Sequence, residues 1–269
     1  MSKIGQLLIF EYLKRQIVTF LKNDPIASCL YKHITNEIPS SVKRVVIFSD
    51  ACTSQNRNSH VSAMYHVALQ EHSSLESIEH IFLIPGHTHL EVDNKHSVIE
   101  RFKDNQDKIS HPDEYYKLVE EAGKTDKNFP GGKFFALKMH HKFFDFSALL
   151  AGPLIKREIT MNKNKFYWLD TNWFKYTKSR IGLVDVKSSF NPEALFDQLS
   201  FLRTGVKPAT LQRLQPFLQK CFTRPQPITA EKKKDLLSML PYIEERYHQF
   251  YKDLPTSESA MDVDPDLES

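Results

Sequence analysis

The alternation of apolar and polar stretches in the first half of the chain predicts alternating strands and helices. Val42–Ser49 is rich in β-branched residues and continuously apolar over Val45–Phe48, which is typical of a buried strand, and His80–Pro85 is a second short run of this kind. Helical spacing of apolar residues lies between them, over Val61–Glu71, and begins again at Asp93. This order predicts an α/β layer with a largely parallel sheet.

The segments on either side of this layer are predicted from helix-start and helix-stop residues and from the spacing of apolar residues. Asp24-Pro25 is a typical helix start and predicts a helix over Ile26–Ile38, whereas Gln6–Leu21 fits either a helix or a strand. Farther along, the patterns predict a mixture of helices and antiparallel strands: helices over Pro112–Gly123, Pro192–Leu202 and Thr229–Asp253, and strands within Lys133–Phe146 and Lys165–Phe190.

These elements predict three regions along the chain. Residues 1–110 form an α/β core, residues 111–254 form an additional α+β region packed on that core, and residues 255–269 form a disordered acidic tail. The tail contains five acids and no lysine or arginine, so the rest of the chain is more basic than the formal net charge of +3 suggests. Such a charge is compatible with a polyanionic partner and equally with an ordinary soluble surface.

The cysteine content and the absence of long apolar runs limit the cellular compartments in which we expect the protein. Three unpaired-looking cysteines, Cys29, Cys52 and Cys221, argue for a reducing environment and against both a disulfide framework and a zinc finger. Charged residues interrupt the N-terminal apolar run, which excludes a signal peptide, and no uncharged stretch is long enough to cross a bilayer. We therefore expect an intracellular protein, nuclear or cytoplasmic, without a membrane partner.

The first cluster of candidate functional residues follows the first predicted strand. Asp50 comes directly after that strand, and Gln55 and Asn56 follow within a polar turn. A carboxylate at a strand end is held rigidly, and nearby amides can orient a phosphate or a carboxylate. The alternative is an Asx turn in which Asp50 and Asn56 satisfy only the local backbone.

The second cluster begins in a histidine-rich loop and continues into a predicted helix. If Asp93 starts that helix, His96 and Glu100 lie on the same face of it, at i+3 and i+7. Asp93 could instead be a plain N-cap. His87 and His89 are candidate metal ligands, but a histidine pair in a loop more often forms ordinary hydrogen bonds, and the spacing excludes the metalloprotease HExxH motif.

Taken together, the two clusters predict a metal-dependent phosphoryl-transfer site. Carboxylates can bridge two Mg²⁺ or Mn²⁺ ions that activate the attacking and leaving oxygens. In this hypothesis Asp50 and Asp93 are the metal ligands and Glu100 completes the catalytic set. The side chains predicted to orient the substrate are Gln55, Asn56, His87, His89 and His96.

Two motifs in these clusters resemble a family of uncharacterised, transposon-derived domains from animal genomes. SDACTSQNRN (Ser49–Asn58) and HIFLIPGHTHLEVDNKHSVIER (His80–Arg101) carry the likeness, and looser matches extend it to most of the chain. The resemblance implies an RNase H-like core of the ribonuclease H and integrase type with DDE-type chemistry, in which metal ions support cleavage and transfer of DNA strands.

The chain departs from the pattern of this family in two places. Thr53 and Ser54 stand where the family usually has two glycines. The resemblance also implies a first strand that bears an acid, upstream of the YLKRQ segment at Tyr12–Gln16, and no suitable acid is found there. We therefore expect an incomplete, N-terminally truncated core with impaired catalysis. The alternative is a domesticated module that binds nucleic acid or protein without catalysis.

Basic residues among aromatic ones suggest where DNA would bind. Lys156, Arg157 and Lys175 lie near tyrosine and tryptophan residues in the predicted strand region. Interleaved basic and aromatic side chains can follow a phosphate backbone and stack on bases. The alternative is an amphipathic strand pair whose lysines lie on the solvent-exposed face.

Overall fold

We analysed a computed structural model of the chain, which describes most of its length in two compact units. The described residues are 24–52, 55–84, 91–106, 108–127, 133–139, 142–221 and 224–258. The first unit, called here the sheet unit, comprises Phe20–Thr88 and Lys142–Cys221. The second, called the helical unit, comprises Met1–Thr19, His89–His141 and Phe222–Ser269.

Helices and strands alternate in the first part of the chain and become shorter afterwards. In chain order they are α1 (Asp24–Lys32), β1 (Arg44–Ser49), α2 (Ser59–Glu71), β2 (Ser77–Phe82), α3 (Glu91–Asp104), α4 (Pro112–Thr125), β3 (Phe144–Asp145), α5 (Ser147–Ala151), β4 (Trp173–Thr177), β5 (Leu183–Lys187), β6 (Asp197–Ser200), β7 (Gln219–Lys220), α6 (Ala230–Ser238) and α7 (His248–Lys252). A π-helical turn, His33–Glu37, extends α1.

A mixed five-stranded sheet forms the framework of the sheet unit. Its strand order is β1-β2-β4-β5-β6, and β3 and β7 form a separate two-stranded sheet. Strands β1 and β2 are parallel, with Val46 opposite Glu79, and the other neighbours in the large sheet are antiparallel. The α/β class predicted from the sequence is therefore confirmed, but the expectation of a largely parallel sheet is wrong, because β2 turns its other edge to an antiparallel strand.

One face of the large sheet carries the main core of the sheet unit. Helix α2 contributes Tyr65, which is fully buried, and the sheet contributes alternate residues such as Phe82, Phe174 and Tyr176. This alternation is visible in β4, where every second residue is buried. Because successive side chains of a strand point to opposite faces, one face becomes apolar and the other remains available for polar groups.

Helices α3 and α4 form a second, smaller core in the helical unit. Ile99 and Tyr115 are among its buried members. Asp126, which directly follows α4, forms an ion pair of 2.6 Å with Lys95 on α3, and both side chains are largely buried. The buried pair therefore joins the beginning of α3 to the end of α4.

Helix α4 runs past the glycine that was predicted to end it. The helix continues to Thr125, two residues beyond Gly123. A Cβ atom at this position would come within 2.8 Å of Phe134, so the glycine permits close packing. The prediction of a helix end at Gly123 was therefore wrong, because the glycine serves a tertiary contact.

Three other predictions for the second half of the chain also need correction. Pro192–Leu202 was predicted to be helical, but it contains strand β6, because pairing with β5 overrides the local pattern. Within Lys133–Phe146 the described residues form a strand only at Phe144–Asp145. The predicted helix over Thr229–Asp253 is divided into α6, two short 3₁₀ turns and α7, since Pro241 cannot continue an α-helix.

Some sequence predictions fall on residues that the structure does not describe. The undecided segment Gln6–Leu21 and the end of the acidic tail, 259–269, lie outside the described residues. Within the described ranges, no helix is both long and apolar enough to span a bilayer.

Candidate functional site

Asp50 lies at the carboxyl end of β1, in the sheet unit, with its side chain exposed to solvent. One of its carboxylate oxygens, Oδ1, accepts a hydrogen bond of 2.5 Å from Nδ2 of Asn56. The turn between them is closed by the carbonyl of Cys52, which accepts hydrogen bonds from the backbone N–H groups of Gln55 (3.2 Å) and Asn56 (2.8 Å). The predicted contact between the strand-end acid and an amide of the turn is therefore present.

The second asparagine of this turn has a separate role. Asn58 is the N-cap of α2, and its side-chain oxygen accepts hydrogen bonds from the backbone N–H groups of His60 (3.1 Å) and Val61 (3.0 Å). Asparagine is among the preferred N-caps, because its side chain satisfies donors at the helix start that have no partner in the helix. One short segment therefore both orients Asp50 and begins the helix that covers the sheet.

A series of hydrogen bonds runs from Ser49, the residue before Asp50, into the core. Oγ of Ser49 lies 2.8 Å from Nε2 of His80, whose Nδ1 lies 3.1 Å from the hydroxyl of Tyr65. Ser49 also donates a hydrogen bond of 2.9 Å to the backbone carbonyl of Asp50. Since that donation uses the serine proton, Nε2 of His80 carries the hydrogen, and Tyr65 donates to Nδ1.

The environment of His80 keeps its ring neutral. Burial, together with the positive charge of Arg57, lowers the pKa of His80 to about 3. The hydroxyl of Tyr65 is fully buried as well, and this burial raises its pKa well above the ordinary value. The hydrogen-bonded groups of Ser49, His80 and Tyr65 are therefore neutral. They hold the backbone of Asp50 and do not activate Ser49 as a nucleophile.

Arg57 connects this turn to a loop of the same unit. It is only 4% exposed, and its guanidinium lies 4.9 Å from the centre of the Phe82 ring. Its Nη1 donates to the carbonyls of Leu169 and Trp168, and its Nη2 donates to the side chain of Asn172 at 3.4 Å. Burial lowers the pKa of the Arg57 guanidinium. Its hydrogen bonds go to neutral oxygens, which makes it a structural tie between the two segments.

The opposite face of the sheet contains a buried acid that the sequence reasoning missed. Glu79, on β2, is 3% exposed and accepts hydrogen bonds from Nε of Arg44 (2.9 Å) and from the indole N–H of Trp173 (3.0 Å). Nζ of Lys175 lies 4.0 Å from the same carboxylate. The available signal was a single acid within an otherwise apolar strand, flanked by basic and aromatic residues on its neighbours.

The predicted helical acids belong to the helical unit. Helix α3 begins at Glu91, so Asp93 lies in its first turn, where it is exposed and its carbonyl accepts a hydrogen bond of 3.0 Å from Ser97. Glu100 forms an ion pair with Lys103 one turn later. His96 lies between these acids on the half-buried part of the helix. His87 and His89 lie outside the described residues.

The predicted two-metal centre can be compared with the acids that the structure describes. Asp50 belongs to the sheet unit, whereas Asp93 and Glu100 belong to the helical unit, so neither unit carries all three predicted acids. In the ranges that the structure covers, no group of three or more histidine, cysteine, aspartate or glutamate side chains is placed to hold a metal ion. The expected Mg²⁺ or Mn²⁺ site therefore remains a prediction without a described ligand set.

The three basic residues predicted to bind DNA lie in the sheet unit and differ in their surroundings. Lys156 is exposed. Arg157 is half-buried and donates a hydrogen bond of 2.9 Å to the carbonyl of Leu202, and Lys175 faces the buried Glu79. Two of the three are therefore engaged within the unit, and Lys156 is the member that solvent reaches most readily.

These features define a mixed α/β domain with a polar site at the end of its parallel strand pair. The chain belongs to the family described as a domain of unknown function (DUF7869), whose model matches residues 21–178. The match includes the Asp50 turn, both parallel strands and α3. Neither the search of curated proteins nor the search of solved structures found a match.

Proposed function

We propose that this protein is a transposon-derived RNase H-like domain in which metal-dependent cleavage of DNA strands is impaired. The observation that carries the proposal is the geometry around Asp50. An exposed carboxylate follows strand β1, an asparagine orients it, and a series of hydrogen bonds that runs into the core holds its backbone. Ligands of α/β proteins are commonly bound beyond the carboxyl ends of parallel strands, where Asp50 lies.

The acids of α3 support the second half of the proposal, the impairment of catalysis. Two-metal strand cleavage requires several carboxylates to hold two ions about 4 Å apart. Glu100 is engaged with Lys103, and it belongs to a different unit from Asp50. Asp50 would then remain as the preserved part of an older site, without the other ligands that it needs.

DNA is the ligand that this proposal assigns to the domain. Support comes from the formal net charge of +3 and from the exposed Lys156 in the sheet unit. Contacts to phosphates are electrostatic, so the affinity for DNA should fall steeply with salt concentration. A domesticated module that binds DNA without catalysis would show the same dependence on salt concentration.

A nicking assay on supercoiled plasmid tests the proposal. We expect the wild-type protein with Mn²⁺ to nick no faster than Asp50→Ala, with Glu193→Ala as the control for loss of an exposed acid in the same unit. Metal-dependent nicking that Asp50→Ala abolishes and Glu193→Ala preserves would contradict impaired catalysis.

Binding to labelled duplex DNA tests the other part of the proposal. We expect the affinity to fall by at least about tenfold between low and physiological salt. Lys156→Ala should weaken binding further, whereas Lys163→Ala, which removes another exposed lysine of the sheet unit, should have a smaller effect. Absence of binding at low salt would contradict the assignment of DNA as the ligand.

A further inference from the structure

We propose that two copies of this chain pair through strand β1, in an antiparallel arrangement with Ile47 at the two-fold axis. Among the described residues, strand β1 is the last strand on its side of the five-stranded sheet, and its partner there is β2. The proposal goes beyond the function proposed above, and neither depends on the other.

The outer edge of β1 has backbone groups without a hydrogen-bond partner in the part of the chain that the structure describes. Lys43 and Ser49 direct their carbonyls toward β2, where Ser77 N (3.2 Å) and Leu83 N (2.9 Å) donate to them. The N–H and C=O of one strand residue point to the same side, and successive residues alternate between sides. The backbone groups of Arg44, Val46 and Phe48 therefore point outward, and within the described chain they have no hydrogen-bond partner.

The side chains along this edge are apolar and exposed. Val46 is 37% exposed and Phe48 is 52% exposed. No proline or charged residue lies between Val45 and Ser49. Edge strands usually carry a lysine, a proline or a bulge that prevents pairing with another chain. Strand β1 lacks these features over its central residues, which makes it a suitable template for a further strand.

A second copy matches this edge because the edge is complementary to itself. With Ile47 on the axis, Val46 lies opposite Phe48 of the second copy, and each such pair can exchange both N–H···O bonds. Directly opposite residues lie on the same face, so the exposed apolar side chains contact each other. Arg44 then comes opposite Asp50 of the second copy, which places opposite charges at both ends of the paired strands.

Charge favours this register over the neighbouring register that has Val46 on the axis. A shift that placed Val46 on the axis would put Arg44 opposite the apolar Phe48 and leave Asp50 without a basic partner in the other strand. Opposite charges in facing positions stabilise strand pairing, and the arrangement is closed because each copy uses the same surface. The occupant that fits this edge is therefore a second copy of the chain.

Light scattering after size-exclusion chromatography tests the proposal on the full chain. We expect a mass of two chains for the wild-type protein, and dissociation in Phe48→Lys and in Val46→Glu, each with a dissociation constant raised by at least about tenfold. In the double variant Val46→Glu/Phe48→Lys, the introduced acid at one position faces the introduced lysine of the other copy, so the dimer should return. Leu195→Lys is the control, because Leu195 is 93% exposed and lies outside β1.

Each outcome supports or overturns the proposal. Loss of the dimer in both single variants and its return in the double variant support it. A monomeric wild type, as expected if another segment of the same chain covers the edge, overturns it, and so does a dimer that both single variants retain. Failure of the double variant to re-form overturns the register. If a variant fails to fold, amide exchange of wild-type Val46 and Phe48 decides, since their protection must disappear on dilution.

Discussion

The end of strand β1 and helix α3 both carry acids in conspicuous sequence motifs, but these acids have different surroundings in the fold. Asp50 follows a strand whose last residue is tied, through Ser49 and His80, to the fully buried Tyr65. Asp93 and Glu100 lie on a helix whose buried side is occupied by apolar residues and by Lys95. The first acid is therefore supported from below by polar groups, whereas the helical acids lie on the surface of a packing element.

This difference distinguishes a preorganised site from the solvent-exposed face of a helix. A preorganised site needs neighbouring polar groups that hold the backbone of the functional residue, because a side chain is well positioned only when the residues around it are fixed. The strand end has such groups, whereas the buried ion pair of α3, between Lys95 and Asp126, joins two helices. The following predictions test that contrast, beginning with the largest expected effect.

Removal of the imidazole should have the largest effect. His80→Ala removes a fully buried ring that lies 4.1 Å from the Phe82 ring, between centroids, and leaves Ser49 and Tyr65 without their partner. We expect the free energy of unfolding to fall by about 4 kcal/mol. Urea denaturation measures it, and Tyr65→Phe, which removes only one hydroxyl, should lose about 1–2 kcal/mol. A loss below about 1 kcal/mol for His80→Ala would mean that the hydrogen bonds of Ser49, His80 and Tyr65 do not stabilise the end of β1.

The buried ion pair of the helical unit should give the next largest effect. Asp126→Ala leaves Lys95 charged in a position where its side chain is only 11% exposed. We expect a loss of about 3 kcal/mol in the free energy of unfolding. Glu100→Ala is the matched control on the same helix, because its partner Lys103 is 37% exposed, and it should change stability by less than about 0.5 kcal/mol. Equal effects of the two variants would remove the contrast between the buried and the surface pair.

The pH dependence of stability should reveal the buried histidines. Burial lowers the pKa of His66 and of His80 to about 3, from 6.5 for the unfolded chain. As the pH falls through this window, the unfolded chain binds protons that the folded chain does not, so stability decreases. Each histidine contributes a slope of about 1.4 kcal/mol per pH unit.

Urea denaturation at several pH values between about 7 and 5 measures this slope. His80→Gln should reduce it by the contribution of one proton relative to the wild type. The comparison of the two proteins removes the contribution of carboxylates that titrate in the same range. An unchanged slope would show that His80 takes up its proton at the same pH in the folded and unfolded chains.

The two asparagines of the turn should separate helix capping from orientation of the acid. Asn58→Ala removes the N-cap of α2, and we expect a loss of about 1 kcal/mol in the free energy of unfolding. Asn56→Ala removes an exposed contact to Asp50 and should cost less than about 0.5 kcal/mol. Thermal denaturation of both variants measures the difference. If Asn56→Ala is the more damaging change, the turn depends on the Asp50 contact for its stability.

Much of the framework of the sheet unit follows from local sequence. The apolar run of β1 and the helical spacing of α2 are strong local signals. Each element begins within two residues of its predicted start and ends at its predicted last residue. The contact between Asp50 and Asn56 spans only six residues, so local reasoning also reaches it. Strand β6 was missed because its conformation depends on pairing with β5.

The supporting groups of the site could not be predicted in the same way. His80 meets Ser49 only because β1 and β2 are parallel and in a particular register, and the two residues are 31 positions apart. Glu79 meets Trp173 across 94 positions. The assignment of Asp50 and α3 to different units is likewise a property of the folded chain, which spacing in the sequence does not reveal.

The most direct test is paramagnetic line broadening by Mn²⁺ in the amide NMR spectrum of the full chain. The account predicts that stoichiometric Mn²⁺ does not broaden the resonances of Asp50, Asp93 and Glu100 together, because the proposed impairment of catalysis implies an incomplete set of metal ligands. Simultaneous broadening of all three at stoichiometric Mn²⁺, lost in Asp50→Ala and retained in Glu193→Ala, would contradict it.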